Sequence, residues 1–290
     1  MINQKYYVSL NGEFKMKDHT VIDTRGNIKG AQLNQILENY ELIVELAKRN
    51  IKTKYRKSYL GVIWAFIQPL LYMFVIYAFF SMITKFDTGP IPYPLFLLLG
   101  IIPMQFFLRM IAESPGSLMG NSGLMSRIYI PQIVFPAACF LSALIDFFFP
   151  LVILVIFLLF FDITLTTQFI FVPLIFSFFL LLCFSTHLFL SAVLGHIKEV
   201  KNAIPAIVQV FFFGSPIFYP TSVVPDYLLS FYYLNPMVGV LEIFRWSLLG
   251  YDTFINSFYV YQSLFIGLCF IIFSMMVFPP LAKNTNHFLD

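Results

Sequence analysis

Few side chains in this 290-residue sequence have the type and spacing that catalysis needs. The four histidines are scattered, and only His196 has an acidic neighbour, Glu199, a pairing more typical of a solvated loop than of a catalytic dyad. A Gly-x-x-x-x-Gly-Lys-Ser/Thr phosphate loop is absent, as is any Gly-Lys pair. We therefore expect no catalytic residue in this chain, and no ATP hydrolysis by it.

The three cysteines lie far apart in apolar stretches, without the spacing of a metal knuckle or of a disulfide framework, so we expect no metal site. Hydrophobic residues make up 59% of the chain and charged residues only 11%, against roughly 25% in an average soluble protein. This composition predicts a membrane protein and disfavours a soluble enzyme or a nucleic-acid-binding domain. Ionisable residues inside the apolar runs are few, chiefly Arg109 and Asp146, which disfavours a proton-driven antiporter. We expect Asp146 to pair with a neighbouring helix or to lie near the outer interface.

The apolar runs are the elements that must carry the remaining polar residues. Because a helix rises 1.5 Å per residue, crossing roughly 30 Å of hydrocarbon takes about 20 apolar residues. Six runs qualify, at residues 62–84, 94–112, 133–161, 169–194, 203–219 and 257–282. The stretch 220–256 is aromatic but broken by Pro and Gly, which favours re-entrant helices. The sequence thus predicts an all-α integral membrane protein with six transmembrane helices, and with re-entrant helices between spans five and six.

The positive charge is concentrated before the first span. Residues 1–61 hold eleven Lys or Arg against six Asp or Glu. With the N-terminus inside, the inner segments would hold fifteen Lys or Arg and the outer segments two, so both termini are predicted to be cytoplasmic. The first apolar run starts near residue 62, too far along the chain for a cleavable signal peptide.

An amphipathic helix is predicted at residues 34–57, with apolar residues at spacings of three and four on one face and Lys and Arg on the other. It suits an anionic cytoplasmic membrane surface, or else it acts only as a topology signal. We divide the chain into a cytoplasmic N-terminal extension without an assigned role (1–33), this interface helix and its turn (34–61), the transmembrane domain (62–282) and a cytoplasmic tail (283–290).

Three motifs resemble those of one transporter family. Residues 49–80 contain R-K-S-Y-L-G followed by W-A-F-I-Q-P-L, residues 121–136 read NSGLMSRIYIPQIVFP, and residues 235–250 read NPMVGVLEIFRWSLLG. Each is similar to a segment in the membrane subunits of ABC-2 type polysaccharide exporters, which export O-antigens of lipopolysaccharide, capsular polysaccharides and teichoic acids. The three matches fall in order along most of the chain.

The resemblance implies a permease subunit in a bacterial inner membrane. Two copies of the chain would form a channel for a lipid-linked polysaccharide, and two separate ATPase chains, which bind ATP and Mg²⁺, would dock beneath it. ATPase coupling is assigned to a short inner helix, through Ser117, Leu118, Asn121, Leu124, Met125 and Arg127. The substrate would enter beside Arg56, Tyr59, Leu60 and Gly61.

Sugars present C–H faces that pack on aromatic rings, so candidate channel residues are Trp64, Tyr72, Tyr77, Phe211, Phe212, Phe218, Tyr219, Tyr232 and Tyr233. In the re-entrant segment Glu242 and Arg245 stand three residues apart, a spacing that predicts a structural ion pair.

Three other functions stay open. An ABC-2 exporter of drugs or lipids shares the architecture, although the aromatic density and the first motif favour a glycan. A membrane-embedded glycan transferase needs carboxylates or a basic cluster on an outer loop, and the stretch 220–256 has few charged residues. A channel or secondary transporter would not depend on an ATPase chain.

Overall fold

A computed structural model of the chain describes residues 2–8, 14–21, 28–56, 61, 63–83, 86, 88–89, 91–125, 130–163, 166–194, 200–250 and 257–284. Within these residues two strands and eleven α-helices follow one another: β1 (Ile2–Val8), β2 (Phe14–Val21), α1 (Ile28–Glu38), α2 (Tyr40–Tyr55), α3 (Ile63–Ile83), α4 (Tyr93–Met119), α5 (Ser122–Met125), α6 (Val134–Phe160), α7 (Val172–Leu194), α8 (Val200–Phe213), α9 (Asp226–Tyr232), α10 (Pro236–Leu249) and α11 (Ser257–Asn284). Short 3₁₀ segments lie at Thr167–Phe171 and Thr221–Val223.

The membrane part is helical, as predicted. In the described part of the chain five helices are long and apolar enough to cross a bilayer, namely α3, α4, α6, α7 and α11. They correspond to predicted spans one to four and six. Helices α9 and α10 meet at 103° and, counted as one bent span, would bring the total to six. This bend falls within the stretch for which the sequence predicted re-entrant helices.

Predicted span five is shorter than expected. Helix α8 has 14 residues, about 21 Å of helix, and ends at Phe213 instead of continuing to Tyr219. Gly214 and Pro216 follow it, and a proline both lacks an N–H donor and disfavours helical angles in the residue before it. In the apolar run 203–219, residues 203–213 are therefore helical and residues 214–219 are non-helical backbone.

The N-terminal extension contains secondary structure that the sequence analysis did not assign. Strands β1 and β2 form a two-stranded antiparallel hairpin, in which Tyr6 pairs with Met16 and Val8 with Phe14. The hairpin precedes the helical part of the chain, and the membrane part keeps its all-α fold class.

Helix α4 occupies the centre of the fold, because it is apolar on all sides and packs against α3, α6, α7, α8 and α10. Within its most apolar window 83% of the residues are buried, whereas the figure for α3 is 6%. Helix α3 is thus a peripheral span that leaves most of its surface uncovered in a single copy of the chain.

The predicted interface helix 34–57 is divided into α1 and α2 by a turn at Asn39, whose side-chain amide donates to the carbonyl of Gln35 at 2.8 Å. The apolar face of α2 does not lie on lipid as expected. Its buried members, Ile43, Leu46 and Ala47, lie against the ends of α4 and α6, and Ile43 and Leu46 share one cluster with Leu118 and Phe135 there. Protein therefore covers the centre of this face, whereas Tyr40 at its start is 63% exposed.

Candidate functional site

A charged cluster joins α2, α4 and α6 where the last turn of α2 meets the middle of α6. We call the end of the bundle that α2 covers the α2 end. The side chain of Asp146 is only 3% exposed, and its carboxylate accepts hydrogen bonds from Lys54 Nζ at 2.6 Å, Tyr55 Oη at 2.9 Å and Arg109 Nη1 at 2.8 Å. Arg109 Nε also donates to Glu113 Oε1 at 2.6 Å. Three helices are therefore held together through one buried carboxylate.

The four charges of this cluster balance, since two cations face two carboxylates. Burying a carboxylate is costly unless cations and hydrogen-bond donors satisfy it, and Asp146 has three such partners. Burial and the Asp146 carboxylate raise the pKa of Tyr55 to about 12. Of the two positions expected for Asp146, the pairing with neighbouring helices is the one observed.

Next to this cluster, a cleft of about 450 Å³ opens between α3 on one side and α4 and α6 on the other. Its polar lining residues are Lys54, Tyr55, Gln68, Gln105, Arg109 and Asp146. The remaining lining is mostly apolar or aromatic, and includes Trp64, Phe106 and Phe147. A volume of roughly 300–1,000 Å³ is typical of small-molecule sites, so the cleft is large enough for part of an amphiphilic ligand.

The predicted substrate entrance lies partly on this cleft. Gly61 lines it with a φ of +49°, a backbone angle that favours glycine, and Arg56 is exposed at the end of α2. Tyr59 and Leu60 lie outside the described residues. The structure adds Lys54, Tyr55, Gln68 and Gln105, which the sequence analysis missed. The sequence signal that could have identified Gln68 and Gln105 is the presence of a glutamine inside an apolar run.

The residues predicted to couple to an ATPase separate into two groups. Ser117 and Leu118 are buried inside the chain, so a partner cannot contact them directly, and that part of the assignment is corrected. Leu124 and Met125, in α5, are half-buried against the cluster beneath α2. Asn121 accepts a hydrogen bond from Arg49 Nη2 at 2.6 Å and so connects the start of α5 to α2. Arg127 lies outside the described residues.

Of the predicted channel aromatics, those on α3 are the most exposed: Trp64, Tyr72 and Tyr77 have 40–48% of their surface accessible. Phe211, Phe212, Tyr219 and Tyr232 are half-buried, and the hydroxyl groups of the two tyrosines lie 3.2 Å apart.

Two predicted channel residues belong to the core instead. Phe218 is buried in a stack with Phe80, at 6.1 Å between ring centroids, and Tyr233 is fully buried and hydrogen-bonds to Glu242. Neither ring can line a channel in this arrangement, because its surface is covered by the chain itself.

The predicted ion pair between Glu242 and Arg245 is not formed among the described residues. Glu242 accepts hydrogen bonds from Thr221 and Tyr233, whereas Arg245 lies over the ring of Phe96, at 3.7 Å from its centroid. Each residue has its own partners, so the spacing of three was misleading here.

Arg245 instead stabilises the non-helical backbone after α8. Its guanidinium donates to the carbonyls of Phe96 and Ile217 at 3.3 Å each, and Tyr93 Oη donates to the carbonyl of Phe218 at 2.9 Å. Non-helical backbone at membrane depth needs such internal partners. Gly100 makes room for them, since an added Cβ would lie 2.8 Å from Arg245 Nη2.

A multi-pass membrane protein with a charged cluster and a cleft at one end fits a transporter subunit, and comparison with known proteins gives the family. The sequence profile described as ABC-2 type transporter matches residues 41–249, from α2 to the end of α10, and the chain belongs to this family. Membership implies association with ATP-binding subunits and confirms the resemblance found in the motifs.

Three relatives illustrate the similarity. The O-antigen export system permease protein RfbA of Klebsiella pneumoniae is 22% identical over 244 residues, which cover 83% of this chain and 92% of the relative. RfbA of Myxococcus xanthus is 23% identical over 210 residues, 70% of this chain and 78% of the relative. The polysialic acid transport protein KpsM of Escherichia coli is 27% identical over 230 residues, 76% of this chain and 88% of the relative.

Proposed function

We propose that this chain is the membrane subunit of an ATP-driven exporter that carries a lipid-linked polysaccharide of the O-antigen or capsule type across a bacterial inner membrane. The observation that carries the proposal is that relatives covering most of the chain are permeases named for O-antigen export and polysialic acid transport. The cleft at the α2 end supports it, because Gly61, a residue of the expected substrate entrance, and Trp64, an expected channel aromatic, both line it.

The α2 end faces the cytoplasm in this proposal, as do both termini. The excess of Lys and Arg before the first span supports this orientation. Substrate made in the cytoplasm then meets the cleft and the exposed Arg56 at the inner boundary of the bilayer. The outer end of the bundle carries the Arg245 contacts that stabilise the backbone after α8.

The complete transporter contains two copies of this chain and two ATP-binding subunits, which hold ATP and Mg²⁺. Helix α3 suits contact with the second copy, because it leaves an apolar surface with Tyr72 and Tyr77 uncovered. Helix α5 suits contact with an ATP-binding subunit, since Leu124 and Met125 are only half-buried within this chain. The polysaccharide advances along the interface between the copies.

Force reaches the membrane helices through contacts within the chain. Closure of the ATP-binding subunits displaces α5, and the hydrogen bond from Arg49 to Asn121 passes this displacement to α2. Helix α2 in turn contacts Asp146 on α6 through Lys54 and Tyr55. Movement at the docking helix therefore alters the wall of the cleft.

The test is co-purification with the ATPase encoded beside this chain, followed by an ATPase assay. Leu124→Asp with Met125→Asp puts charge on α5 and is expected to abolish the complex and its ATPase activity. Val223→Asp with Leu228→Asp is the matched control, since these residues are exposed near α9, which the proposal puts at the outer end. A complex that survives the α5 changes refutes the docking site.

A second assay separates the proposal from its rivals. In cells lacking this gene, the wild-type chain is expected to restore polysaccharide on the cell surface, and an inactive ATPase is expected to leave it trapped inside. Surface glycan that appears without any ATPase would favour a channel or a transferase. A complex that exports lipids or drugs but no glycan would favour the other exporters of this family.

A further inference from the structure

Two consecutive prolines interrupt the backbone hydrogen bonds of α11 near its C-terminal end. Pro279 and Pro280 lie inside this helix, and a proline has no N–H group to donate to the carbonyl four residues earlier. For Pro279 that carbonyl belongs to Met275. A proline ring also clashes with this carbonyl and bends the helix. The carbonyl of Met275 therefore needs a donor from outside α11.

Helix α1 supplies that donor. The side-chain amide of Gln32 donates from Nε2 to the carbonyl oxygen of Met275 at 3.1 Å, across 243 residues of sequence. The amide replaces the hydrogen bond that Pro279 removes. It also joins α1, before the first span, to the last span of the chain.

An apolar contact accompanies this hydrogen bond. Ile36, one turn further along α1, packs against the cluster of Leu188 on α7 and Phe278 on α11. The same side chain packs against the cluster beneath α2 that contains Leu118, and Leu124 of α5 packs against that cluster as well. Helix α1 thus lies between the end of α11 and the apolar cluster on which α5 rests.

This connection lies outside the part of the chain that the family profile matches. The profile spans residues 41–249, whereas α1 precedes this range and α11 follows it. Within the matched part, Arg49 and Lys54 of α2 reach Asn121 and Asp146, on neither of which α11 depends for a contact with α1. Helix α1 therefore adds a path to the last span that is separate from the contacts of α2.

We propose that α1 is a strap that couples the last span to the docking helix α5, with Gln32 as the positioning residue that holds the bent end of α11. The proposal rests on the proposed function, because it takes α5 as the place where an ATP-binding subunit acts. It adds that α11 moves together with α5 and α2. Pro279 makes this possible, since it leaves the carbonyl of Met275 to Gln32.

The first test is a double-mutant cycle on stability, measured by reversible unfolding in mixed micelles with sodium dodecyl sulfate. Gln32→Leu is expected to raise the unfolding equilibrium constant about 5- to 10-fold, as for the loss of one hydrogen bond. In a Pro279→Ala background, residue 279 has an N–H group for the Met275 carbonyl. There the same change is expected to raise the constant less than about 2-fold.

Two controls accompany the cycle. In a Pro280→Ala background the new N–H group faces the carbonyl of Met276, so Gln32→Leu is expected to keep its full effect. Asn34→Leu changes an exposed residue of α1 and is expected to leave the unfolding equilibrium constant unchanged. Equal effects of Gln32→Leu in the wild-type, Pro279→Ala and Pro280→Ala backgrounds overturn the proposal.

The second test separates coupling from simple stabilisation. Gln32→Leu combined with Pro279→Ala restores the hydrogen bond of Met275 but lacks the link to α1. In cells, this double variant is expected to lose surface polysaccharide, while its purified complex keeps its stability and its ATPase activity. Asn34→Leu is expected to retain all three. Full export by the double variant overturns the coupling role, because stability alone would then account for Gln32.

The two proposals fail separately. If the chain forms an active ATPase complex but the cycle shows no interaction between Gln32 and Pro279, the strap is wrong and the transporter function stands. If the cycle shows the interaction but no ATPase complex forms, the contact between α1 and α11 stands and the proposed function is wrong.

Discussion

Asp146→Asn is expected to destabilise the fold. The Asp146 carboxylate is almost fully buried and accepts from Lys54, Tyr55 and Arg109. Asparagine keeps the volume but removes the charge, and it turns an NH₂ donor toward groups that are themselves donors. The charge-assisted hydrogen bonds that join Asp146 to α2 and α4 are weakened together, whereas the apolar packing of α2 remains.

The magnitude follows from the exposure of the partners. Breaking a buried ion pair by removing one partner costs about 3–5 kcal/mol, whereas an exposed pair contributes about 0–1 kcal/mol. Here Lys54 is 47% exposed and can turn to water, and Arg109 retains its contact with Glu113. We therefore expect an intermediate loss of about 2 kcal/mol in the free energy of unfolding.

The assay is reversible unfolding by sodium dodecyl sulfate in mixed micelles, followed by circular dichroism. Asp162→Asn is the matched control, because Asp162 is exposed after α6 and its φ of +49° is one that asparagine adopts readily. The control is expected to change the free energy of unfolding by less than about 0.5 kcal/mol. Equal changes in the free energy of unfolding of the two variants would refute the claim that the cluster at Asp146 stabilises the fold.

Two further results are expected. Gly100→Ala is expected to lower the melting temperature in detergent, because the added methyl group would lie 2.8 Å from Arg245 Nη2 and 3.0 Å from Ile217 Cα. Gly116→Ala is the control and is expected to leave the melting temperature unchanged, since open space surrounds Gly116. Equal melting temperatures of the two variants would contradict this account. Since the folded pKa of Tyr55 is about 12 against 10 in the unfolded chain, the unfolded state loses its proton first, and stability falls between pH 10 and 12. Tyr55→Phe should make that fall shallower, as measured by unfolding at each pH; an identical pH profile would count against it.

The sequence predicted the spans well where the length of an apolar run decided the outcome. Five runs of 19–29 residues became long helices, because bilayer thickness fixes the length of a crossing. The prediction of a full span at residues 203–219 was wrong, because mean apolarity does not distinguish a helix from buried non-helical backbone. Arg245 and Tyr93 donate hydrogen bonds to carbonyls of that backbone, and neither contact is visible in a local pattern.

The site was harder to predict than the fold for the same reason. Lys54 and Asp146 are 92 residues apart in sequence, so periodicity within one helix gives no sign of their contact. The short spacing of Glu242 and Arg245 gave a sign that was wrong, since buried partners on other elements outcompeted the local pair. Leu118 was assigned to the surface because its segment resembles a docking helix, yet the apolar face of α2 covers it.

Helix α2 explains why a basic amphipathic segment precedes the first span. Arg49 contacts Asn121 beside α5, and five residues later, about 7.5 Å along the helix, Lys54 contacts Asp146 at the cleft. An apolar face packed on α4 and α6 keeps the helix in register with both, so it moves as a unit with the bundle end instead of sliding over lipid. A helix lying free on the membrane surface could not connect these two contacts, because nothing would fix its position relative to the cleft. In the proposed function, the cover that the protein provides for α2 lets the helix connect the proposed docking site to the cleft.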